Sequence, residues 1–197
     1  MKILIDNGHG ENTPCKRSPD GAFREYLWTR ETAASIVRAL RMRGYDAELL
    51  VKESVDVPLQ ERCRRVNDWC RKLGKTRVLL VSVHVDACGN GSRWYTASGW
   101  SCWTSKGETQ ADVLAKMLFE SAERHLTGRK IRTYRGAKEP DFEENFYILS
   151  HTSCPAVLTE NMFQDNHSDV EYISSPEGRN AIVDLHVEGI MRYLQQR

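Results

Sequence analysis

The chain has 197 residues, of which 40% are hydrophobic and 28% are charged, and its formal net charge is +1. This composition is typical of one globular domain with a sizeable core, and it has no basic excess that would indicate a nucleic-acid or lipid partner. The longest apolar run, Val78–Val83, is too short to cross a bilayer, and no secretory signal peptide is recognisable. We therefore expect a single domain over residues 1–197, without a transmembrane segment.

The first half of the chain alternates strand-like runs with amphipathic helical stretches. Helices are predicted where apolar residues recur at i, i+3, i+4 and i+7, and strands where short β-branched or leucine runs occur. The predicted elements are, in chain order, a strand at 2–6, a helix at 27–43, a strand at 45–51, a helix from Pro58 to Gly74 and a strand at 77–83. Proline in the first turn and glycine after the last turn suit the two ends of that second helix.

The second half begins with an irregular stretch, 89–107, that is rich in Gly, Ser and Trp and in which we expect an edge strand or hairpin. The following elements are, in chain order, a helix at 108–125, a loop at 127–144, the short apolar segment "FYIL", a buried strand at 155–161 and a closing helix at 177–195. Strands that alternate with helices predict an α/β fold. We expect a single-domain sandwich with a mostly parallel or mixed central sheet flanked by helices on both faces.

Three of the predicted strands lead into side chains that bind metals or move protons. "LIDNGHG" leads to His9, "VLLVSVHVD" to His84 and "AVLTEN" to Glu160. Because ligands bind at the carboxyl ends of the strands in open α/β sheets, we expect these side chains to lie at one edge of the sheet. Gly8 and Gly10 flank His9, which predicts a tight backbone turn and an uncrowded imidazole.

Two histidines at such an edge are candidate ligands of a catalytic zinc ion, which typically takes three protein ligands and a water. For the third ligand the best candidate is Glu25 in "GAFREYLWTRE", although the spacing leaves Glu11, Glu31 and Asp86 open. Hydrolysis of an amide also needs a proton donor for the leaving nitrogen, and Glu160 suits that role as a carboxylate that is not a ligand. The HExxH signature is absent, so the hypothesis depends on residues that are far apart in the sequence.

The remaining histidines and the cysteines are interpreted without a catalytic role. The histidines predicted to be solvated are His125, His151, His167 and His186, with His151 as an alternative lining of the cleft. None of the six cysteines belongs to a CxxC pair, and we expect free thiols. Cys63 and Cys70 recur inside a helical pattern and are expected to pack as small hydrophobic residues.

Five segments resemble, in the same order and over nearly the whole chain, those of the zinc-dependent N-acetylmuramoyl-L-alanine amidases of the amidase-3 type. They are "ILIDNGHG", "DGAFREYLW", "VPLQERCRRVND", "LLVSVHVDACG" and "FYILSHTSCPAVLTEN". The resemblance implies that His9, Glu25 and His84 bind one catalytic Zn²⁺ and that Glu160 is the catalytic acid–base. It also implies cleavage of the amide between N-acetylmuramic acid and L-alanine, in peptidoglycan or a muropeptide, by a chain expected to be monomeric.

The same resemblance implies action at the bacterial cell envelope. No wall-binding module is recognised beside the catalytic domain, and export by a removed leader and phage-type lysis both stay open. The family's Leu-x-x-Arg-x-x-x-x-Asn pattern places its arginine on Arg62. The chain departs from the family where Asn161 and Met162 replace the glycine region before Phe163, which is expected to reshape the floor of the pocket.

Three other functions stay open on the sequence: a zinc peptidase acting on stem peptides, a cysteine hydrolase, and a catalytically inactive wall-binding domain. The groups of the cysteine hydrolase would be Cys154 or Cys88 with His151 or His84. The segment "SRWYTASGWSCW" has two interpretations, stacking on sugar or peptide and packing within the fold. They apply to its three tryptophans, Trp94, Trp100 and Trp103.

Overall fold

The computed structural model describes residues 1–134 and 140–196. Within these residues one sheet contains six strands: β1 (Lys2–Asn7), β2 (Asp46–Leu49), β3 (Val78–Asp86), β4 (Ser101–Thr104), β5 (Phe142–Glu143) and β6 (Ala156–Phe163). The helices are α1 (Glu25–Met42), α2 (Leu59–Leu73), α3 (Gln110–His125), α4 (Tyr147–Ser150), α5 (His167–Ser174) and α6 (Pro176–Gln195). A short 3-10 turn, Lys75–Arg77, precedes β3.

The strand order across the sheet is β2-β1-β3-β6-β4-β5. β1 pairs in parallel with β2 and β3, and β3 with β6, whereas β4 runs antiparallel to β6. The predicted α/β sandwich with a mostly parallel, mixed sheet is therefore confirmed. The prediction of an edge strand or hairpin at 89–107 is wrong, because β4 lies inside the sheet. The outer edge is formed by β5, a strand of two residues from the region interpreted as a loop.

Both faces of the sheet are buried under helices. Successive residues of a strand point to opposite faces. Accordingly, Ile3 and Ile5 pack in the cluster that contains α1, α3 and α6, whereas Leu4 packs in the cluster that contains α2 and α4. The run Val78–Val83 is buried throughout, as expected of a parallel strand covered on both sides. Polar side chains of the central strands can therefore reach solvent only near the strand ends.

The helix boundaries follow local capping signals. α2 begins directly after Pro58, as predicted, and the side chain of Thr109 caps α3. α5 has no counterpart among the predicted elements, and Asn166 caps it. Of the loop predicted at 127–144, residues 135–139 lie outside the described residues. Among the helices that the structure describes, none has the length and apolarity needed to cross a membrane.

Candidate metal centre

His9 lies in the turn that follows β1, and its own backbone adopts the left-handed conformation, with φ 61°. The expectation that Gly8 and Gly10 supply the backbone freedom is wrong, since neither has a positive φ. The two glycines supply space instead. A Cβ at Gly8 would lie 2.4 Å from the imidazole of His84, and one at Gly10 would lie 2.0 Å from the backbone nitrogen of Asp56. Gly8 therefore makes room for the histidine of the neighbouring strand.

The turn around His9 is held by hydrogen bonds with two elements, β3 and α1. The amide of Gly8 donates to the carbonyl of Val83 at 3.0 Å, and the hydroxyl of Thr29 donates to the carbonyl of Gly8 at 3.0 Å. The guanidinium of Arg30 donates to the carbonyl of His9 at 2.9 Å. Since the partners in these hydrogen bonds belong to β3 and α1, the position of the His9 turn is determined by the packed fold.

His84 and Glu160 are direct neighbours in the sheet. β3 and β6 run in parallel, and the register pairs His84 with Glu160, so both side chains project from the same face. The next pair is Asp86 with Phe163, which means that β6 contains one extra residue at a bulge. Met162 lies in this bulge and has a left-handed backbone conformation, with φ 70°. Glycine adopts this conformation most readily, which explains why the family that the chain resembles has glycine at this position.

The third side chain, Glu25, is the first residue of α1 and is fully buried. Its Oε1 lies 3.3 Å from Nδ1 of His84 and 3.6 Å from Nε2 of His9, and it accepts the amide hydrogen of Val85 at 3.0 Å. The two imidazole rings are 4.9 Å apart and nearly perpendicular, at 89°. One candidate ligand atom from each of His9, Glu25 and His84 lies within 4.8 Å of the other two. We call these three residues the triad.

The protonation states of the triad suit a cation. Burial lowers the pKa of His9 to about 3, and the neighbouring His84 adds to this effect, so the imidazole is neutral at pH 7. Burial opposes the ionisation of Glu25, but its hydrogen bond with His84 and the nearby His9 and Lys16 outweigh burial and hold its pKa at about 2. Neutral imidazole and ionised carboxylate are the forms that bind a metal.

The carboxylate of Glu25 is incompletely satisfied. Its Oε2 is buried without a hydrogen-bond partner, and the nearest cation, Nζ of Lys16, is 3.7 Å away. A buried carboxylate oxygen without a partner is costly, because it loses its hydration and gains no hydrogen bond in return. The triad therefore contains an ionised carboxylate in which one oxygen has no hydrogen-bond partner.

Glu160 shares this property. Its Oε2 is likewise buried without a hydrogen-bond partner. Burial, reinforced by the negative charges of Asp86 and Glu25, raises the pKa of Glu160 well above its usual value, against the smaller opposing effects of Lys16 and Arg132. A carboxyl group with a raised pKa next to a candidate metal site is suited to proton transfer near neutral pH.

The carboxylates that the spacing had left open lie outside the triad. Glu11 accepts a hydrogen bond from the hydroxyl of Ser54, and Glu31 forms an ion pair with Arg179. Asp86 forms an ion pair with Arg132 at 2.6 Å. Each of these three carboxylates therefore has a partner of its own, whereas Glu25 is the carboxylate that meets the two histidines.

The remaining histidines do not join the triad, but the prediction for one of them is wrong. His186 is fully buried, with Nδ1 2.7 Å from the carbonyl of Ile182 and Nε2 2.9 Å from the hydroxyl of Thr159. It is a core histidine with both ring nitrogens bonded, not a solvated one. His151 is exposed and stacks on Tyr147, at the end of β6 opposite to Glu160.

The last two histidines lie at the protein surface. His125 pairs with Glu188 at 2.6 Å, and His167 is exposed. The three tryptophans of "SRWYTASGWSCW" all contact other residues of the fold, and Trp103 stacks on Phe142 at 4.7 Å. Trp100 is fully buried and donates its indole hydrogen to Asn161, so it packs, whereas the partly exposed Trp94 stacks on His167 at 3.5 Å.

A second polar cluster beside the triad was missed from the sequence. Asp6 of β1 accepts hydrogen bonds from Arg62 of α2 and from Ser82 of β3, both at 2.6 Å. Arg62 also donates to the carbonyls of Val57 and Asn7, at 2.8 Å each. An aspartate at the end of the apolar run "ILID" was the available signal. We call Asp6, Arg62 and Ser82 the arginine cluster.

The fold and this site define a class of protein. Two histidines and a glutamate meet at the carboxyl ends of parallel strands, and a second carboxylate lies beside them without being one of the three. That is the residue set of an α/β enzyme with a metal-dependent hydrolytic centre.

The sequence profile of the N-acetylmuramoyl-L-alanine amidase family (Amidase_3) matches residues 3–192, and the chain belongs to this family. Its reaction is the hydrolysis of the amide between N-acetylmuramic acid and L-alanine in peptidoglycan. Cell-wall amidases of this kind act outside the cytoplasm, and the family generally depends on zinc.

Individual relatives cover almost the whole chain. The N-acetylmuramoyl-L-alanine amidase CwlM of Bacillus licheniformis is 27% identical over 195 residues, which are 98% of this chain and 68% of the relative. The endolysin of Bacillus phage SPP1 is also 27% identical, over 98% of this chain and 65% of the endolysin. The chain therefore spans about two thirds of the length of these two relatives.

Among solved structures, the N-acetylmuramoyl-L-alanine amidase of Clostridium difficile 630 superimposes with a TM-score of 0.83 at 23% identity, over 100% of this chain and 97% of the other. At that identity the likeness concerns the fold alone.

Proposed function

We propose that the triad binds one catalytic Zn²⁺ and that Glu160 acts as the general acid–base in cleavage of the muramoyl–L-alanine amide. The observation that carries this proposal is the buried carboxylate of Glu25, which has one oxygen without a hydrogen-bond partner while both His9 and His84 approach the other. A cation at this place compensates the negative charge and takes up the nitrogen lone pairs.

The chemistry of the donors favours zinc over a hard cation. Zn²⁺ binds imidazole and carboxylate groups together, whereas Ca²⁺ and Mg²⁺ require mainly oxygen ligands. Among the described residues, the triad is the one group of three or more His, Cys, Asp or Glu side chains close enough to share an ion. A set of three protein ligands is typical of catalytic zinc, because a further position stays available for water or substrate.

In the proposed mechanism the metal and Glu160 have separate roles. Zinc, when bound, supplies a Lewis acid that polarises the scissile carbonyl and activates water. Glu160 accepts a proton from the attacking water and later donates it to the L-alanine nitrogen as the C–N bond breaks. Its raised pKa suits both steps, since the carboxyl group must exchange a proton near neutral pH.

We place this action on the outer side of the bacterial envelope, where the family's substrate lies, and the phage endolysin relative supports the placement. A monomer suffices for the proposed reaction, because one chain provides the triad and Glu160. The alternative is a zinc peptidase with the same metal site that cuts within the stem peptide.

Mass spectrometry of peptidoglycan digested with the zinc-loaded protein tests the proposal. We expect intact stem peptides with a free L-alanine amine, together with glycan strands that have lost their peptides. Shortened stem peptides that remain attached to glycan would instead establish the peptidase. Chelation should abolish the products and added zinc should restore them, whereas loss of activity with a thiol alkylator but not with a chelator would establish the cysteine hydrolase.

A further inference from the structure

Two buried cysteines from different elements meet on the α2 side of the sheet. Cys70 lies in the last turns of α2, and Cys154 lies in the segment between α4 and β6. All six cysteines are free thiols, and these two are both buried in the cluster beneath α2. Both lie in the same packed cluster, where α2 contacts the segment that precedes β6.

Two hydrogen bonds of Asn67 hold the segment before Cys154 against α2. The side-chain amide of Asn67, one turn before Cys70, donates to the carbonyl of His151 at 2.8 Å and accepts the amide hydrogen of Ser153 at 2.9 Å. Ser153 immediately precedes Cys154. The segment is therefore anchored to α2 immediately before Cys154, by a residue one helical turn from Cys70.

Cys154 is also reachable from solvent. A surface cavity of about 370 Å³ borders Cys154, and Leu149, Pro155 and Lys75 line it as well. The cavity brings Cys154 close to solvent, whereas most buried cysteines are enclosed by the core.

We propose that Cys70 and Cys154 form an intramolecular disulfide when the chain meets a disulfide oxidant such as oxidised glutathione. The thiolate of Cys70 attacks the oxidant and releases one glutathione thiol, giving a mixed disulfide. The thiolate of Cys154 then displaces the second glutathione, so that two protein thiols are oxidised while one glutathione disulfide is reduced to two thiols. The two protons pass to solvent or to the departing thiolates.

The electrostatics agree with this order of attack. The interaction with Cys154 lowers the pKa of Cys70, whereas the same interaction and burial raise the pKa of Cys154 well above its usual value. The thiolate of the pair therefore resides on Cys70. A more stable thiolate is the better first nucleophile at neutral pH.

The expected consequence is stability without a change of activity. The bond closes a loop of more than 80 residues between positions 70 and 154, which restricts the unfolded chain. Cys154 precedes β6, whereas Glu160 lies near the far end of that strand. The cross-link therefore fastens α2 to the beginning of β6 and leaves the triad unaltered, and this inference does not depend on the proposed function.

The test compares the reduced chain with the chain refolded from denaturant in a glutathione redox buffer, so that burial cannot block oxidation. We expect four titratable thiols instead of six, a mass lower by two hydrogens, and a cross-linked proteolytic peptide that joins Cys70 to Cys154. The midpoint of thermal unfolding should rise by roughly 5–15 °C on oxidation. The rate of peptidoglycan hydrolysis should be equal in the two forms.

Two variants control the experiment. Cys154→Ala should retain all its remaining thiols and show no rise of the midpoint, whereas Cys63→Ala, which removes another buried thiol from α2, should still form the cross-link. Six titratable thiols in the refolded wild type would overturn the inference. A cross-link between other cysteines, or mixed disulfides without an internal bond, would overturn it as well.

Discussion

The triad and the arginine cluster are neighbouring polar groups that each include one residue of β3, and they differ in how well their hydrogen-bonding needs are met. Ser82 and His84 are alternate residues of β3, so they project from the same face, one into each group. In the arginine cluster both oxygens of Asp6 accept a hydrogen bond. In the triad one oxygen of Glu25 has no hydrogen-bond partner.

This difference distinguishes a group that stabilises the fold from a group arranged for a ligand. Buried polar atoms in folded proteins are nearly always paired, so an unpaired one at a strand end indicates a bound species or a reaction step. The arginine cluster already contains its cation, which fastens α2 to β1. The triad has its charge and its donors in place, and we propose that zinc completes it.

The strongest test of the comparison is Glu25→Gln, which keeps the shape of the side chain and removes its charge. We expect loss of zinc binding and of hydrolysis to background, because the remaining imidazoles lack the ionised ligand. In the metal-free protein the free energy of unfolding should fall, because the lowered pKa of Glu25 means that its surroundings stabilise the ionised carboxylate. Metal analysis and urea unfolding measure the two effects.

His84→Ala should also lose the metal, and full zinc occupancy in that variant would remove His84 from the ligand set. The matched control is His125→Ala, which removes a surface histidine that pairs with Glu188 and should keep both zinc and activity.

Glu160→Gln separates proton transfer from metal binding. We expect zinc content to stay at the wild-type level while kcat falls about 10²- to 10⁴-fold, the usual contribution of a general acid–base group. Glu123→Gln, at an exposed position on α3, is the control and should leave kcat unchanged. Near-normal turnover of Glu160→Gln would exclude Glu160 from the mechanism.

Arg62→Ala tests the arginine cluster. Removal of one partner of a buried ion pair leaves Asp6 charged and without its cation, so we expect a loss of about 3–5 kcal/mol in the free energy of unfolding. Arg64→Ala provides the control on the same helix. Arg64 forms ion pairs with Glu61 and Asp68 at the protein surface, and such pairs contribute little to the free energy of unfolding. Equal stabilities of the two variants would mean that the arginine cluster does not stabilise the fold.

His186 extends the comparison to a third buried polar group, in which both ring nitrogens have partners. Burial lowers the pKa of His186 to about 4 from its usual 6.5. Between these two pH values, His186 is therefore protonated in the unfolded chain and neutral in the folded chain. Its contribution to stability is therefore present above pH 6.5 and is lost as the pH falls towards 4.

His186→Gln separates the contribution of His186 to the pH dependence of stability from the contributions of the other groups that titrate in acid. Between about pH 7 and about pH 4, the free energy of unfolding should fall by roughly 2–4 kcal/mol more in the wild type than in the variant. Urea unfolding at several pH values measures the difference. Parallel pH profiles of the two proteins would show that His186 is not a buried neutral histidine.

Much of the fold could be predicted from the sequence because its signals are local. The apolar periodicity of α1 and the buried run of β3 each depend on neighbouring residues, and the structure confirms both elements. β4 was assigned to an edge because its stretch is short and irregular, but the position of a strand within a sheet depends on partners far along the chain. β5 shows the same limit, since two residues have no periodicity of their own.

The order of residues along the chain predicts which chemical groups lie at the ends of the strands. His9 and His84 follow apolar runs, and Glu160 follows another, so parallel pairing brings them to one edge. That Glu25 is the carboxylate beside the histidines is visible in the folded chain alone. Chain spacing leaves several carboxylates within reach, and the start of α1 directs this one towards Val85.

Tertiary packing also decided the roles of small and buried residues. Gly8 gives space to an imidazole 76 positions away in the sequence, which no local pattern reveals. His186 is buried because Thr159 and Ile182 satisfy both of its nitrogens. The physical reason is common to these cases: sequence patterns report the preferences of a segment, whereas the compensation of a buried charge or polar atom depends on groups that only the folded chain brings together.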